Sequence, residues 1–260
     1  MRLSELGEFG LIEKIRRSFS VKSPRAPLSI GDDAAALAVS PSSMLLATTD
    51  MLVEGVHFDL SFTDFFSLGW KSAAVNLSDI AAMGGIPRFC LTALAIPPGI
   101  GSEQIADFYK GFGAVLREHA VLLVGGDTCS SGKGFIITVT ALGETEKALL
   151  LRRSGARPGD RIFVTGTLGD SAAGLELLRN AEWGMRNKKS EIRNPKSAIG
   201  RLAERHLRPV PRVAEGLKIA RSGCATSMID VSDGLNLDLT HLCHESGDGA
   251  QIISGKKPLR

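Results

Sequence analysis

The sequence predicts an α/β chain in two domains, on three observations. Short apolar runs that end at Gly, Pro or Asp alternate with longer stretches of helical period. Residues 152–160, with their Ser-Gly-Ala-Arg-Pro-Gly stretch, read as a linker between two such series. The 260 residues suffice for two ordinary domains, each burying its own core.

The elements follow in order. Residues 6–18 read as a helix, followed by a Pro-containing loop. Residues 44–49 read as a buried strand that delivers Thr48, Thr49 and Asp50 at its end. Residues 64–83 read as a helix rich in small residues, closed by Gly84-Gly85 and Pro87. Residues 89–96 form a predicted strand stopped by Pro97-Pro98-Gly99, and Ser102 is placed to N-cap a helix running to about His119. Strands at 121–124 and 135–142 complete a β-α-β-α-β-β domain.

Beyond the linker, 161–165 reads as a strand, 166–169 as a turn, and Asp170 as the N-cap of a helix through Arg179. The polar stretch 180–196 reads as an exposed loop. A helix at 212–222, a strand at 225–230 and a helix at 235–245, entered through Asp233-Gly234, end the series.

Bulk properties exclude several classes. A net charge of +3, without a Lys/Arg-rich block, argues against nucleic acid and against an anionic membrane surface. Cys90, Cys129, Cys224 and Cys243 form no C-x-x-C pair, so they are expected to act as small buried hydrophobes in a reducing compartment. The N-terminus lacks the apolar region of a signal peptide, and no stretch reaches the length of a membrane span, so the expected location is cytoplasmic.

The chemistry lies in short acidic segments at or near the ends of apolar runs: Gly31-Asp32-Asp33, Thr48-Thr49-Asp50, Asn76-Leu77-Ser78-Asp79, Gly125-Gly126-Asp127-Thr128 and Asp230-Val231-Ser232-Asp233-Gly234. Carboxylates gathered in one place repel, so either some pKa values rise or a cation neutralises them. Oxygen ligands with hydroxyls interleaved suit Mg²⁺, which most often carries substrate phosphates. Metal-dependent phosphoryl transfer is the first reading. Ser72, Asn76 and Asp79 share one helix face, which is either the solvent face or an inward polar stripe that needs partners. Gly125-Gly126-Asp127 is either a plain turn or a place where a phosphate approaches the backbone. Asp233 is an N-cap, a ligand or both, and His57 is a surface histidine or a phosphate contact. No P-loop or dinucleotide fingerprint is present.

Taken in order, Glu8-Phe9-Gly10-Leu11-Ile12, Ile30-Gly31-Asp32-Asp33, Thr48-Thr49-Asp50, Val56-His57-Phe58, Asn76-Leu77-Ser78-Asp79, Gly125-Gly126-Asp127-Thr128, Arg153-Ser154-Gly155, Gly169-Asp170-Ser171, Arg205-His206-Leu207-Arg208-Pro209 and Asp230-Val231-Ser232-Asp233-Gly234 resemble the thiamine-monophosphate kinase family over nearly the whole chain. The resemblance implies a two-domain α/β (α+β) architecture of the aminoimidazole-ribonucleotide-synthetase-like kind, whose N-terminal domain sheets pair across a homodimer. It divides the chain into an N-terminal metal- and ATP-binding and dimerisation domain at 1–148 and a C-terminal α/β domain at 149–260. Family members usually continue past residue 260 with a segment that helps hold thiamine, so the second domain is expected to be shortened.

The reaction implied is ATP-dependent phosphorylation of thiamine monophosphate to thiamine diphosphate. Carried over by position, Asp33, Thr48, Thr49, Asp50, Asp79, Asp127, Asp230 and Asp233 would hold several Mg²⁺ ions. Gly126, Asp127, Arg153, Ser232 and Tyr109 would contact ATP, and His57 the substrate. No dedicated general base is expected, because the acceptor phosphate is already anionic at neutral pH. The alternatives are another ATP-using member of the same superfamily or a non-catalytic binder of thiamine phosphates or nucleotides. The first cysteine lies in a predicted strand and the chain ends Lys-Pro-Leu-Arg, which disfavours selenophosphate synthesis and hydrogenase maturation.

Overall fold

The computed structural model describes residues 24, 32, 34–183 and 197–252. The helix expected at 6–18 and the candidate ligand Asp33 lie outside them.

Five strands, β1 (Ala35–Ala38), β2 (Ser43–Val53), β3 (Ile86–Ile96), β4 (Leu122–Ser130) and β5 (Ile136–Glu146), form one sheet in the order β1-β2-β5-β3-β4. β5 runs antiparallel to both β2 and β3, while β4 pairs parallel to β3. Helix α1 (Phe65–Ala82) therefore connects parallel strands β2 and β3, and α2 (Ser102–Glu118) connects β3 and β4. Both crossovers step the same way across the sheet, and right-handed connections then put both helices on one face. That face holds the main core, including Leu46, Leu68, Leu77, Ile80, Phe108, Phe112, Phe135 and Ile137. The opposite face carries exposed Met51, Phe89, Leu91 and Leu122.

Asp64 caps α1, its side chain accepting hydrogen bonds from Ser67 N (2.7 Å) and Ser67 Oγ (2.8 Å). The two helices cross where neither has a side chain: a Cβ on Gly69 would lie 1.9 Å from Phe108 O, and one on Gly111 1.8 Å from Phe66 O. Glycine alone fits at that crossing.

Several expectations are corrected here. Ser102 is the first residue of α2; the cap is Gly101, whose N–H donates to Gln104 Oε1 at 2.7 Å. β3 starts before Pro87, which is tolerated because the pairing slips there between Pro87 and Phe89. β4 runs through Gly125-Gly126-Asp127-Thr128 to Ser130, so this segment is strand, not turn: pairing with β3 supplies the ladder that local propensity does not. β1 was not foreseen.

Helices α3 (Asp170–Trp183), α4 (Ala198–Leu207), α5 (Val213–Ser222) and α6 (Leu235–Ser246) follow. Asp170 begins α3 as its first residue and accepts a hydrogen bond from Thr167 Oγ1. Residues 180–183, expected in a loop, belong to α3, and the rest of the expected loop, 184–196, lies outside the described set. The strands expected at 161–165 and 225–230 do not form. An apolar run becomes a strand only beside a partner, and at 225–230 the cross-link is a bond from Met228 N to Arg152 O of 2.9 Å. Ile162 and Phe163 are correspondingly exposed.

The α4 end docks on α1. Trp70 Nε1 donates to Pro209 O (2.8 Å), Arg208 Nε donates to Ser67 Oγ (3.0 Å), and the Arg208 guanidinium sits 5.0 Å from the Phe66 ring centre. Lys71 Nζ lies 3.2 Å from His206 Nε2, and Ser171 Oγ 3.1 Å from His206 Nδ1. Of the cysteines, only Cys90 is buried, its thiol pushed up to about 12 by burial; Cys129 and Cys224 are exposed, contrary to expectation. Among the described residues no helix is long and apolar enough to cross a membrane.

Candidate active site

Alternation along β2 puts Met44, Leu46, Thr48, Asp50 and Leu52 on the helix-covered face. Met44, Leu46 and Leu52 seal the core, and Thr48 and Asp50 stand between Leu46 and Leu52 along the strand. Thr48 Oγ1 donates to Asp79 Oδ2 at 2.7 Å, and the preceding residue, Ser78, donates through Oγ to Asp230 Oδ2 at 2.8 Å. Two consecutive residues of α1 thus gather β2 and the 230 segment. Burial pushes the Asp50 carboxyl above its ordinary range, and nearby His57 offsets this in part. His57 is held in turn by Val53 N, which donates to Nδ1 at 3.0 Å.

The polar stripe of α1 faces inward. Asn76 is 0% exposed and Ser72 is equally buried. Ser72 Oγ donates to Leu68 O (2.7 Å) and Asn76 Nδ2 to Ser72 O (3.0 Å), while Asn76 Oδ1 is buried without a partner.

A second feature lies across the sheet. A cavity of about 460 Å³ opens between α2 and edge strand β4, lined by Thr92, Tyr109, Leu123 and residues 125–128. Gly126 is essential to its floor: a Cβ there would sit 2.0 Å from Thr92 O. Tyr109 stands edge-on to Phe108 and Phe112, and burial raises its hydroxyl pKa.

The connecting loops are tied to one another. Arg153 N donates to Asp32 Oδ1 at 3.2 Å, and Ser246 Oγ of α6 donates to Arg153 O at 3.2 Å. The 232–234 loop is held from within by Asp238, 3% exposed, which accepts from Gly234 N at 3.0 Å and from the backbone at Asp233 and Ser232. Gly234, not Asp233, is the N-cap of α6, and Ser232 and Asp233 stay exposed.

Thr48, Asp79, Ser78 and Asp230 therefore meet toward the end of α1, Asp50 stands two residues beyond Thr48 on the same strand face with His57 nearby, and Tyr109, Gly126 and Asp127 share the cavity. Thr49 points the other way, its hydroxyl donating to Val139 O and meeting Thr140 Oγ1, both at 3.1 Å. Asp127 lies in register with Ala93, Thr138 and Met51 on the face opposite Asp50, and its Oδ1 accepts from Thr128 N at 2.8 Å. Asp50 and Gly126 share one row three strand spacings long, about 14 Å. Among the described residues no three His, Cys, Asp or Glu side chains form a ready metal-ligand group.

Sequence reasoning missed three residues. Ser78 was hidden inside an acidic motif. Asp238 had a signal, an acid in the first turn of a helix entered through glycine. Thr92 had none, because a threonine in a strand is ordinary.

Residues 31–145 match the family described as AIR synthase related protein, N-terminal domain. The chain is 41% identical over 259 residues to thiamine-monophosphate kinase of Aquifex aeolicus (strain VF5), covering 100% of itself and 77% of that protein. It is 35% identical over 254 residues to thiamine-monophosphate kinase of Bacillus subtilis (strain 168), covering 98% of itself and 75% of that protein. A solved structure described as AaThiL complexed with AMPPCP and TMP superposes with a TM-score of 0.82 at 39% identity, over 95% of this chain and 72% of that one. With such identity over nearly its whole length, the chain belongs to the thiamine-monophosphate kinase family.

Proposed function

We propose that the chain transfers the γ-phosphoryl group of ATP to the phosphate of thiamine monophosphate, releasing ADP and thiamine diphosphate. The observation that carries this reading is the pair of links Thr48–Asp79 and Ser78–Asp230, which draw three separate acidic segments to one helix end. The donors there are all oxygens, and Asp50 is a half-buried carboxyl whose pKa, raised by burial, a nearby cation would lower. An all-oxygen donor set fits Mg²⁺. Mg²⁺ needs only one or two carboxylates when substrate phosphates complete its shell, which matches acids distributed over two places.

In this reading Thr48, Asp50, Asp79 and Asp230 would hold Mg²⁺, with Asp33 and Asp233 from their own acidic segments, while Thr49, whose hydroxyl is bonded on the opposite face, would not. Asp127, which lines the cavity, would hold Mg²⁺ beside the nucleotide phosphates. Bound Mg²⁺ supplies charge neutralisation between two polyanions and in-line alignment. An oxygen of the acceptor phosphate forms the new bond to the γ-phosphorus as the bond to the β–γ bridging oxygen breaks and ADP leaves. The acceptor, with a second pKa near 6, is already anionic, so no side chain has to remove a proton. His57 accepts at Nδ1, so its ring proton is on Nε2 and is available to a substrate phosphate oxygen. Arg153, Ser232, Gly126 and Tyr109 contact ATP. Consumption of ATP is in keeping with a cytoplasmic location.

The uncovered apolar face of the sheet supports a homodimer formed through it, with Met51 56% and Leu122 60% exposed. Incubation with ATP, Mg²⁺ and thiamine monophosphate, followed by chromatography for thiamine diphosphate, tests the activity. Tight nucleotide binding without diphosphate formation would leave a non-catalytic binder instead.

A further inference from the structure

The helix-covered face of β3 is apolar at Pro87, Cys90 and Leu94, and the one hydroxyl on it belongs to Thr92, 3% exposed. Thr92 Oγ1 is buried without a hydrogen-bond partner. A valine would fill the same space in a strand without leaving a polar atom unmatched, so packing gives no reason for the hydroxyl. The same residue lines the cavity between α2 and β4.

The other walls say what chemistry would satisfy it. Tyr109 and Leu123 give an aromatic and an aliphatic wall, and Gly126, bare of any side chain, lies against Thr92. No Lys or Arg lines the cavity; its one charged group is the Asp127 carboxylate, so the wall of Thr92, Tyr109 and Leu123 offers a phosphate no charge partner. A flat, uncharged heterocycle with hydrogen-bonding edges fits the Thr92, Tyr109 and Leu123 walls, away from Asp127.

We propose that Thr92 Oγ1 hydrogen-bonds the purine base of ATP and so positions the nucleotide in the cavity beside Tyr109. This inference rests on the reading that the chain uses ATP. The hydroxyl is then a binding group whose cost in the free protein is recovered when the base arrives.

Thr92→Val and Thr92→Ser test it. Thr92→Val should raise the KM for ATP about tenfold, the worth of one hydrogen bond, with kcat and the KM for thiamine monophosphate unchanged. Calorimetry with Mg-AMPPCP should show the same loss, whereas inorganic tripolyphosphate, which has no base, should bind both proteins equally. Thr92→Ser should restore affinity. Because the unpartnered hydroxyl is gone, Thr92→Val should also melt a few degrees higher than the parent without ligand, which confirms that it folds. Equal Mg-AMPPCP affinity in parent and Thr92→Val, or a loss confined to thiamine monophosphate, would overturn the proposal, as would absence of Mg-AMPPCP binding by the parent. If the parent makes no thiamine diphosphate yet Thr92→Val still loses Mg-AMPPCP affinity, the kinase reading fails and the role of Thr92 stands.

Discussion

At the scale of single residues, the site is made by pairs of neighbours that face different partners. Ser78 and Asp79 are consecutive, yet one reaches Asp230 and the other Thr48. Asp79→Asn keeps an acceptor for Thr48 Oγ1 but removes the charge, so the fold should persist while turnover falls at least 100-fold at low Mg²⁺; circular dichroism and product assay check both halves. Asp50→Asn should behave alike, and normal kinetics in both variants at low Mg²⁺ would remove the acidic group from the mechanism. Gly126→Ala is a different kind of lesion. Its Cβ would meet the Thr92 carbonyl, so β4 must shift at the cavity floor. Since β4 is an edge strand, nucleotide affinity measured by calorimetry should drop sharply with only a small fall in melting temperature.

At the scale of elements, α1 organises the molecule. It touches the sheet on one side, crosses α2 at Gly69 and Gly111, and receives the end of α4 through Trp70, Arg208 and the Lys71–His206 contact. Gly111→Ala should force the two helices apart and cost about 1–3 kcal/mol in urea denaturation. The histidine gives a pH signature. Burial first, then the Lys71 and Arg179 charges, lowers the His206 pKa to about 4, and burial lowers Lys71 to about 8. A neutral ring with Nε2 accepting from Lys71 and Nδ1–H turned to Ser171 satisfies both distances. Between about 4 and the ordinary value near 6.5 the unfolded chain binds the proton that the folded chain does not. The contribution of His206 is therefore complete above about 6.5 and is lost as pH falls toward 4. His206→Gln should be less stable than the parent at pH 7.5, and the difference in melting temperature should shrink toward pH 4. A difference that stays constant over that range would refute the neutral assignment.

At the scale of the whole molecule, one sheet face is covered by helices and, among the described residues, the other is bare. Two crossovers of the same hand put α1 and α2 together, leaving Met51, Phe89, Leu91 and Leu122 without a partner among the described residues. Analytical ultracentrifugation should find a dimer, and Leu91→Asp should convert it to a monomer of normal melting cooperativity. A monomeric parent would mean that the bare face has another occupant.

The sequence by itself determined the elements that carry strong local signals and the chemistry of the acidic segments. The helices near 65–82, 102–118, 213–222 and 235–246 and the core strands were legible because period, glycine and proline mark them within a few residues. Tertiary structure decided what depends on a partner. The 125–130 segment became strand because β3 lies beside it, and 161–165 and 225–230 did not because no ladder was offered. Likewise Thr49 and Asp127 were turned away from Thr48 and Asp50 by the pleat of their strands, a period of two that no motif reveals. The residue types of the candidate site were readable, but which of them meet was fixed by register, by the hand of the crossovers and by two glycines at a helix crossing.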